Sequence, residues 1–274
     1  MAEAAVPATV GRLRAGNLAR LVLHQFQFDL LAFVRNRQSQ FFTLVLPVLF
    51  LVIFASIFGG NHSVKVPGGQ LKTSVSYVPG IITLGIIAAS FVNLVISVTA
   101  QRESGILKRR RATPVPAAAI IGGRALTAVV AAFAITAVLL LIGWAAYGAH
   151  VPGRTGPALL VTVAIGALSF CCLGYALASV IHDEDAAQPV TQALMLPLYF
   201  ISGVFVAVSQ LPHWLVDVAD LFPVRHLAAA LLKAYNPHAT GSGFAWADLL
   251  IVAAWGIGGL VVALRKFSWV PERT

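Results

Sequence analysis

The sequence predicts an all-α integral membrane protein, a six-transmembrane-helix bundle with an N-terminal amphipathic interfacial helix and short external re-entrant helices between spans 5 and 6. Hydrophobic residues make up 58% of the 274-residue chain, charged residues only 11%, and the mean hydropathy is +0.85. Soluble domains are about half apolar and about one quarter charged. The apolar residues also fall into separate runs, which is the second observation that predicts a multi-span protein.

Six apolar runs are candidate spans, because a helix rising about 1.5 Å per residue needs roughly 20 residues to cross the hydrocarbon core. The runs are 41–58, 77–99, 117–147, 158–181, 189–208 and 246–264. The predicted domains are therefore an N-terminal segment with the amphipathic helix, a six-span transmembrane domain and a C-terminal tail, at 1–40, 41–264 and 265–274. We expect no cleavable signal peptide, because about forty residues containing several arginines precede the first run.

The distribution of Lys and Arg predicts the orientation of the chain. With the N-terminus cytoplasmic, thirteen basic residues fall in cytoplasmic segments and five outside, while Arg124 lies within the third run. The positive-inside rule then predicts that both termini are cytoplasmic. The net charge of +9 does not indicate nucleic-acid binding, because the basic residues flank apolar runs instead of forming one surface. An excess of Arg over Lys and Ala-rich spans suggest a GC-rich bacterial genome, and we expect the chain in a bacterial plasma membrane.

Charged residues are nearly absent from the predicted spans. Arg124 and Asp248 lie within them, each close enough to an end to extend toward the lipid headgroups. Ion-coupled carriers usually need ionisable groups near the bilayer midplane, so we expect the energy source to be a different polypeptide. The sequence contains no Gly-Lys dipeptide and hence no phosphate-binding loop, so this chain binds no nucleotide through that motif.

Apolar residues follow helical spacing ahead of the first run and predict an amphipathic helix. The predicted apolar face consists of Ala19, Val22, Leu23, Phe26, Leu30, Phe33 and Val34. Polar residues such as Arg20, His24 and Gln27 fall largely on another face. The helix is either a generic anchor at the headgroup level or a specific docking element.

The segment QRESGILKRRRATPVP at 101–116 joins the second and third runs and is the most informative stretch. Its candidate functional residues are Arg102, Glu103, Gly105, Ile106, Leu107, Lys108, Arg109, Arg110 and Arg111. They offer apolar, acidic and basic contacts, and Pro114 and Pro116 end any helix before the third run. Such a short segment could transmit a push from a soluble partner into two membrane helices, although an ordinary positive-inside loop would carry similar charges.

Three further patterns bear on function. His182, Asp183, Glu184 and Asp185 are consecutive, which suits a solvated turn better than a metal site, and no metal is expected. The stretch at 209–237 is too polar to span and too apolar for a free loop. It predicts two short external helices, the second starting at Pro223. His213 and His226 in this stretch are predicted to be interfacial residues and not ligands.

We expect no catalytic residues. Ser90, Ser169 and Ser202 lie in or near the runs without a nearby base and are interpreted as helix-packing residues, and the adjacent Cys171 and Cys172 offer neither a disulfide nor a metal-ligand spacing. The alternative to a transporter is a passive channel or a membrane scaffold without an ATPase. A channel would need polar rings along a span, and the runs supply few.

The RESGIL run at 102–107, followed by RATPV at 111–115, resembles the coupling segment after the second span in permease subunits of type-2 ABC transporters. The resemblance is strongest to the daunorubicin-type drug-resistance exporters of bacteria. The SGVF run at 202–205 together with Pro212, Trp214 and Pro223 resembles the family's fifth span and external re-entrant helices. The residues after Pro223, Val224-Arg225-His226, depart from the more apolar or aromatic sequence of the family.

The resemblance implies a permease that dimerises with a second copy or a related permease, each half docked on a cytoplasmic ATP-binding cassette ATPase. That partner would bind ATP and Mg, and this chain would hold no cofactor. The family's ATPase contacts would fall on the amphipathic helix and on residues 103–111. The implied function is efflux of a hydrophobic or amphipathic drug, antibiotic or lipid-like substrate, without identifying which, because the family moves drugs, lipids and glycans.

Overall fold

The computed structural model describes residues 15–60, 63–66, 68–111, 115–150, 152–181, 183–206, 208–239 and 241–266. The regular secondary structure of these residues is helical apart from one hairpin. The α-helices are α1 (Ala15–Arg35), α2 (Arg37–Gln40), α3 (Leu46–Ile57), α4 (Thr73–Ile87), α5 (Asn93–Glu103), α6 (Ile106–Arg111), α7 (Ala117–Tyr147), α8 (Gly156–Ala178), α9 (Glu184–Ile201), α10 (His213–Ala219), α11 (Pro223–Tyr235) and α12 (Trp246–Lys266). Phe41–Val45 and Ala88–Val92 are π-helical turns and Val208–Gln210 is a 3₁₀ turn. Strands β1 (Ser63–Val66) and β2 (Gly69–Lys72) pair antiparallel, a hairpin that the sequence analysis did not predict.

Four helical stretches of the described residues are long and apolar enough to cross a membrane. They are Thr73–Glu103, Ala118–Tyr147, Gly156–Ala178 and Trp246–Lys266. Phe41–Ile57 is also apolar but shorter. An all-helical membrane protein with several long apolar helices is therefore confirmed. The other two of the six predicted spans correspond to Phe41–Ile57 and to α9, which are not among these four stretches.

Helix α9 differs from the fifth predicted run at both ends. Helix α9 begins at Glu184 and ends at Ile201, whereas the apolar run suggested 189–208. The side chain of Asp183 accepts a hydrogen bond from the backbone N–H of Asp185, which caps the helix start before the apolar run begins. Gly203 has φ +84°, a left-handed conformation that ends a helix.

The helix at the centre of the bundle is Thr73–Glu103, formed by α4 and α5 through the π-turn between them. Of the 18 residues in its most apolar part, 83% are buried inside the protein, whereas the corresponding share in α12 is 28%. Within the π-turn, Ser90 donates to the carbonyl of Ile86, so its hydroxyl is satisfied inside the helix. The ring of Phe91 in the same turn packs edge-on against Phe170 of α8. Hydropathy alone could not separate this buried helix from a lipid-facing one, because both are apolar.

Helices α8 and α12 pack closely because α12 presents glycines to α8. A Cβ atom on Gly256 would lie 2.6 Å from Ser169 Oγ, and one on Gly259 would lie 2.9 Å from the backbone nitrogen of Leu173. Small residues allow such backbone approach in membranes, where packing and not water exclusion drives helix association. The predicted packing role of Ser169 agrees with this contact.

The course of the chain defines two ends of the bundle. We call the end that carries the junction of α5 and α6, the end of α8 and the start of α9 the basal end. The distal end carries the hairpin, the start of α4, α10, α11 and the start of α12. The two short helices predicted between spans 5 and 6 are α10 and α11.

Candidate functional site

The candidate functional site is built around a sharp turn at the basal end. Helix α5 ends at Glu103, and Gly105 adopts φ +72° with its N–H donating to the carbonyl of Arg102. A residue with a Cβ is strained at this φ, which is why a glycine suits the position. The turn lets α6 start at once, as Arg109 N–H donates back to the Gly105 carbonyl. The predicted coupling segment is thus a helix end, a tight turn and a six-residue helix.

The side chain of Arg102 points into the protein and is only 4% exposed. Its guanidinium donates from Nη1 to the carbonyl of Ala178 at 2.9 Å and from Nη2 to the carbonyl of Ile181. Ala178 is the last residue of α8 and Ile181 follows in the turn after it. A cation at a helix C-terminus is favoured by the helix dipole and by the unpaired carbonyl groups. Arg102 therefore links α5 to α8 and does not lie on the outer surface of the segment.

Glu103 contacts the start of α9, the helix that follows α8. Its Oε2 accepts a hydrogen bond of 2.9 Å from the backbone N–H of Glu184, the first residue of α9. A carboxylate at a helix N-terminus satisfies an otherwise unpaired N–H and is favoured by the dipole. The neighbouring residues Arg102 and Glu103 consequently hold the end of one helix and the start of the next.

Helix α6 divides its side chains between the protein and the surface. Leu107 is 4% exposed and belongs to a buried cluster with Tyr175, Ile181 and Ala187 from α8 and α9. Ile106 is 40% exposed, and Lys108 and Arg109 are exposed as well. The side chains of Arg110 and Arg111 lie outside the described part. The buried leucine anchors α6 so that its exposed side faces away from the bundle.

Helix α1 packs on the start of α7 with part of the predicted apolar face. Val22, Phe26, Leu30 and Phe33 of that face are half-buried, whereas Ala19, Leu23 and Val34 of the same face are exposed. The large outward-facing apolar residues are Leu23, Phe28, Leu31 and Val34. A stripe that includes both Val22 and Leu23 is wider than one helix face can bury, because neighbours in a helix point about 100° apart.

An ion pair that the sequence analysis missed joins α1 to the bundle. Asp29 is buried on the packed face of α1, and its Oδ2 lies 3.7 Å from Arg124 Nε of α7. Arg124 Nη1 also donates to Ser97 Oγ of α5 at 2.6 Å. The expectation that Arg124 extends to the headgroups was wrong, because the charge is paired within the protein. The sequence did contain a sign of this contact. Asp29 lies three residues after Phe26 and four before Phe33, so helical spacing places it on the same face as these apolar residues.

The residues predicted for the external helices lie at the distal end, opposite the basal site. Pro223 starts α11 and is buried, whereas Pro212 and Trp214 are exposed. His226 Nδ1 lies 2.8 Å from Asp248 Oδ1, and its Nε2 lies 2.9 Å from the Asp220 carbonyl. Asp248, near the start of α12, thus pairs with a histidine of α11.

Among the described residues, no group of three or more His, Cys, Asp or Glu side chains is placed to hold a metal ion. His182, one of the four residues weighed as a metal cluster, lies outside the described part. Cys171 and Cys172 are both free thiols on α8. The chemistry available at the basal end is therefore hydrogen bonding, charge and apolar contact.

Comparison with known proteins matches residues 21–236 to the family model described as ABC-2 type transporter. The matched region contains the basal site and most of the distal end. It confirms the resemblance predicted from the RESGIL segment, and with it the prediction that this chain is a permease and not an enzyme.

Two curated relatives carry related names. The daunorubicin resistance ABC transporter permease protein DrrB1 of Streptomyces coeruleorubidus is 28% identical over 191 residues, covering 68% of this chain and 65% of the relative. The probable multidrug ABC transporter permease YbhR of Escherichia coli K12 is 27% identical over 175 residues, covering 62% of this chain and 47% of the relative. The chain thus spans less than two thirds of the length of either relative. On the family match, the chain belongs to the ABC-2 type transporters, as a multi-pass membrane permease.

Proposed function

We propose that this chain is the membrane-spanning permease subunit of an ATP-driven exporter, and that a separate cytoplasmic subunit binds and hydrolyses ATP with Mg. Two observations support the proposal besides the family match. One is the set of hydrogen bonds made by Arg102 and Glu103 at the basal end. The other is the exposed side of α6 and α1, which offers the partner a surface.

The hydrogen bonds of Arg102 and Glu103 supply a route for mechanical coupling. Any displacement of α6 acts on its neighbours through rigid hydrogen-bonded helix ends and through the buried Leu107. In our proposal, closure of two partner ATPases on ATP moves α6, and α8 and α9 move with α5. Packed interfaces of this kind switch between discrete arrangements, which suits alternating access.

The surface offered to the ATPase subunit combines positive charge with apolar side chains. Lys108 and Arg109 of α6 are exposed, and Leu23, Phe28, Leu31 and Val34 form the outward face of α1. Interfaces commonly have an apolar centre with a polar rim, and basic rims select acidic partners. We propose that both elements dock on the ATPase, α6 by charge and α1 by apolar contact.

The membrane arrangement that we propose has six spans, with Phe41–Ile57 and α9 completing the four longer helices. Arg265 and Lys266 end α12 on the same side as the basic residues of α6, which favours a cytoplasmic basal end and cytoplasmic termini in a bacterial plasma membrane. The outward residues Leu250, Ile257 and Leu264 of α12 are exposed, which fits contact with lipid or with a second permease copy.

For cargo, we propose a hydrophobic or amphipathic compound such as a drug, an antibiotic or a lipid-like molecule. The printed names of the two relatives refer to daunorubicin resistance and to multidrug transport. Few charged side chains line the long apolar helices, so a path between them would favour uncharged or amphipathic molecules.

The deciding experiment is purification of the tagged chain from native membranes in mild detergent, followed by a test for a stoichiometric ATP-hydrolysing subunit. The double variant Lys108→Glu, Arg109→Glu should lose that subunit, because it reverses the charge of the exposed side of α6. Arg154→Glu, a reversal at an exposed position at the distal end, is the matched control and should retain it. Isolation of the unaltered chain alone across several detergents would refute the proposal and favour a channel or scaffold.

A further inference from the structure

A cavity of about 180 Å³ lies at the distal end, enclosed by the start of α4, the turn at 202–206 and helix α11. Its walls include the apolar residues Val204, Phe205 and Leu232, and its polar residues include Ser202 and Arg225. It lies at the opposite end from the site proposed for ATPase docking, and neither the family match nor the relatives assign it a role.

Ser202 in this cavity has a polar atom without a partner. The residue is fully buried, and its Oγ makes no hydrogen bond within the described part of the protein. Several buried hydroxyls of other helices donate to a carbonyl one turn earlier on their own helix, as Thr83 does to Pro79 and Thr191 to Ala187. An unsatisfied buried hydroxyl costs free energy, so a ligand that accepts from Ser202 would recover it.

Arg225 brings a positive charge to the same cavity. Its Nε lies 3.5 Å from Asp220 Oδ1 but makes no hydrogen bond with the described residues, and its side chain is 20% exposed. A guanidinium carries five N–H donors in a planar fork that fits phosphate oxygens. Asp220 itself is about half exposed, so it can hold one edge of the guanidinium without filling the cavity.

Exposed tryptophans indicate that the cavity lies at the level of the lipid headgroups. Trp144 near the end of α7, Trp246 at the start of α12 and Trp214 on α10 are each more than half exposed. Such side chains are enriched where a membrane meets water. Trp144 lies close to the cavity along the chain of contacts. Its neighbour Gly143 packs against Val78, since a Cβ on Gly143 would lie 3.0 Å from that side chain. The residues on either side of Val78, Tyr77 and Pro79, line the cavity.

The size of the cavity limits the ligand. Pockets for drug-sized molecules usually hold about 300–1,000 Å³. The present cavity is smaller and so suits a polar group of a few atoms, not a whole drug. At the headgroup level of a membrane, the abundant polar group that accepts hydrogen bonds from both an arginine and a hydroxyl is the phosphate of a phospholipid.

We propose that this cavity binds the phosphate of a phospholipid headgroup from the leaflet at the distal end. Arg225 donates to the phosphate oxygens, Ser202 donates a further hydrogen bond, and the acyl chains remain outside the cavity against the apolar surface. The site does not depend on ATP-driven export, so it can be tested independently of the proposed function.

The test is native mass spectrometry of the full chain, purified with any subunit that accompanies it and titrated with phosphatidylglycerol carrying two six-carbon chains. Arg225→Gln should weaken binding about tenfold and Ser202→Ala severalfold, the range expected for hydrogen bonds to a charged group. Ser202→Ala should not lower the thermal midpoint, because the hydroxyl has no partner among the described residues. Arg154→Gln, the matched control at the same end, should bind as the unaltered chain does.

Further measurements distinguish phospholipid binding from a structural role of the ion pair and from binding of free phosphate. Asp220→Asn should bind at least as tightly as the unaltered chain, because it removes the competing anion. Equal weakening in Asp220→Asn and Arg225→Gln would instead mean that the ion pair acts structurally, and would overturn the proposal. Inorganic phosphate that competes as strongly as the lipid would overturn the lipid assignment. If Arg225→Gln does not fold, unchanged binding by Ser202→Ala is sufficient to refute the site.

Discussion

The carboxylate of Glu103 accepts a hydrogen bond from the backbone N–H of Glu184 at 2.9 Å, across 81 positions of sequence. The bond ties the turn before α6 to the first residue of α9. Since α9 is the fifth span in our proposal, the relationship connects the ATPase-facing segment to a helix that the sequence places far away.

Replacement of Glu103 should uncouple transport more than it destabilises the fold. Glu103→Gln removes the charge, but its side chain can still accept a hydrogen bond. Glu103→Ala removes the acceptor of the N–H of Glu184, the first residue of α9. We expect Glu103→Ala to cost about 1 kcal/mol of stability, as for loss of a helix cap, and to reduce export severalfold. ATP-dependent export in vesicles and thermal unfolding measure the two effects, and Glu103→Gln should lie between the unaltered chain and Glu103→Ala. Full export by Glu103→Ala would refute the coupling role.

Arg102 should matter for the stability of the fold as well as for the proposed coupling. Arg102→Leu removes the buried hydrogen bonds to the carbonyls of Ala178 and Ile181. We expect a loss of about 3 kcal/mol, because two carbonyls lose a charged donor. Arg102→Lys should recover part of it, since one ammonium can reach one carbonyl. The exposed Lys108→Ala is the control and should change stability by less than about 0.5 kcal/mol. A thermal midpoint in Arg102→Leu equal to that of the control would contradict the structure.

The glycines of α12 provide a graded test of the α8 interface. Gly256→Ala and Gly259→Ala should each destabilise by about 1–3 kcal/mol, because their Cβ atoms would meet Ser169 and the Leu173 backbone at under 3 Å. Gly258→Ala is the matched control, since a Cβ there meets no described atom within 4 Å. That control should be neutral or slightly stabilising, as alanine favours a helix. Thermal unfolding in one detergent compares the three variants, and equal midpoints would disprove this packing.

His150, between α7 and α8, should make stability depend on pH. Burial lowers the pKa of His150 below its ordinary 6.5, a backbone hydrogen bond at Tyr235 opposes this, and the charge of His238 adds to the lowering. The folded protein then binds a proton less readily than the unfolded chain. This contribution to stability is therefore complete above about pH 6.5 and is lost as the pH falls through the folded pKa.

Thermal midpoints at pH 8 and pH 5 test this expectation. The midpoint should fall toward pH 5 in the unaltered chain and fall less in His150→Phe, which keeps an aromatic ring beside Tyr235. The exposed His213→Phe on α10 is the control and should retain the full decrease. Identical pH profiles for His150→Phe and the unaltered chain would rule out His150 as the source.

The sequence predicted which residues form the basal site, but not which partners those residues contact. The RESGIL segment, its glycine turn and the exposed Lys108 and Arg109 follow from local sequence. The inward direction of Arg102 and the Asp29–Arg124 pair do not, because each depends on a partner brought close only by packing. The outward positions of Leu23 and Val34 were missed for the same reason, since periodicity defines a stripe but not the part of it that a neighbouring helix covers.

By itself the sequence determined that this chain is a helical membrane protein, where its long apolar helices lie and which short segment joins the second and third runs. These properties follow from local hydropathy, turn residues and charge, which act within a few turns of the chain. The tertiary structure alone decided which helix is central and which polar groups of distant segments meet. It brought Ser202 and Arg225 into one cavity from different segments, and such a meeting depends on how distant helices pack against one another and not on the sequence around either residue.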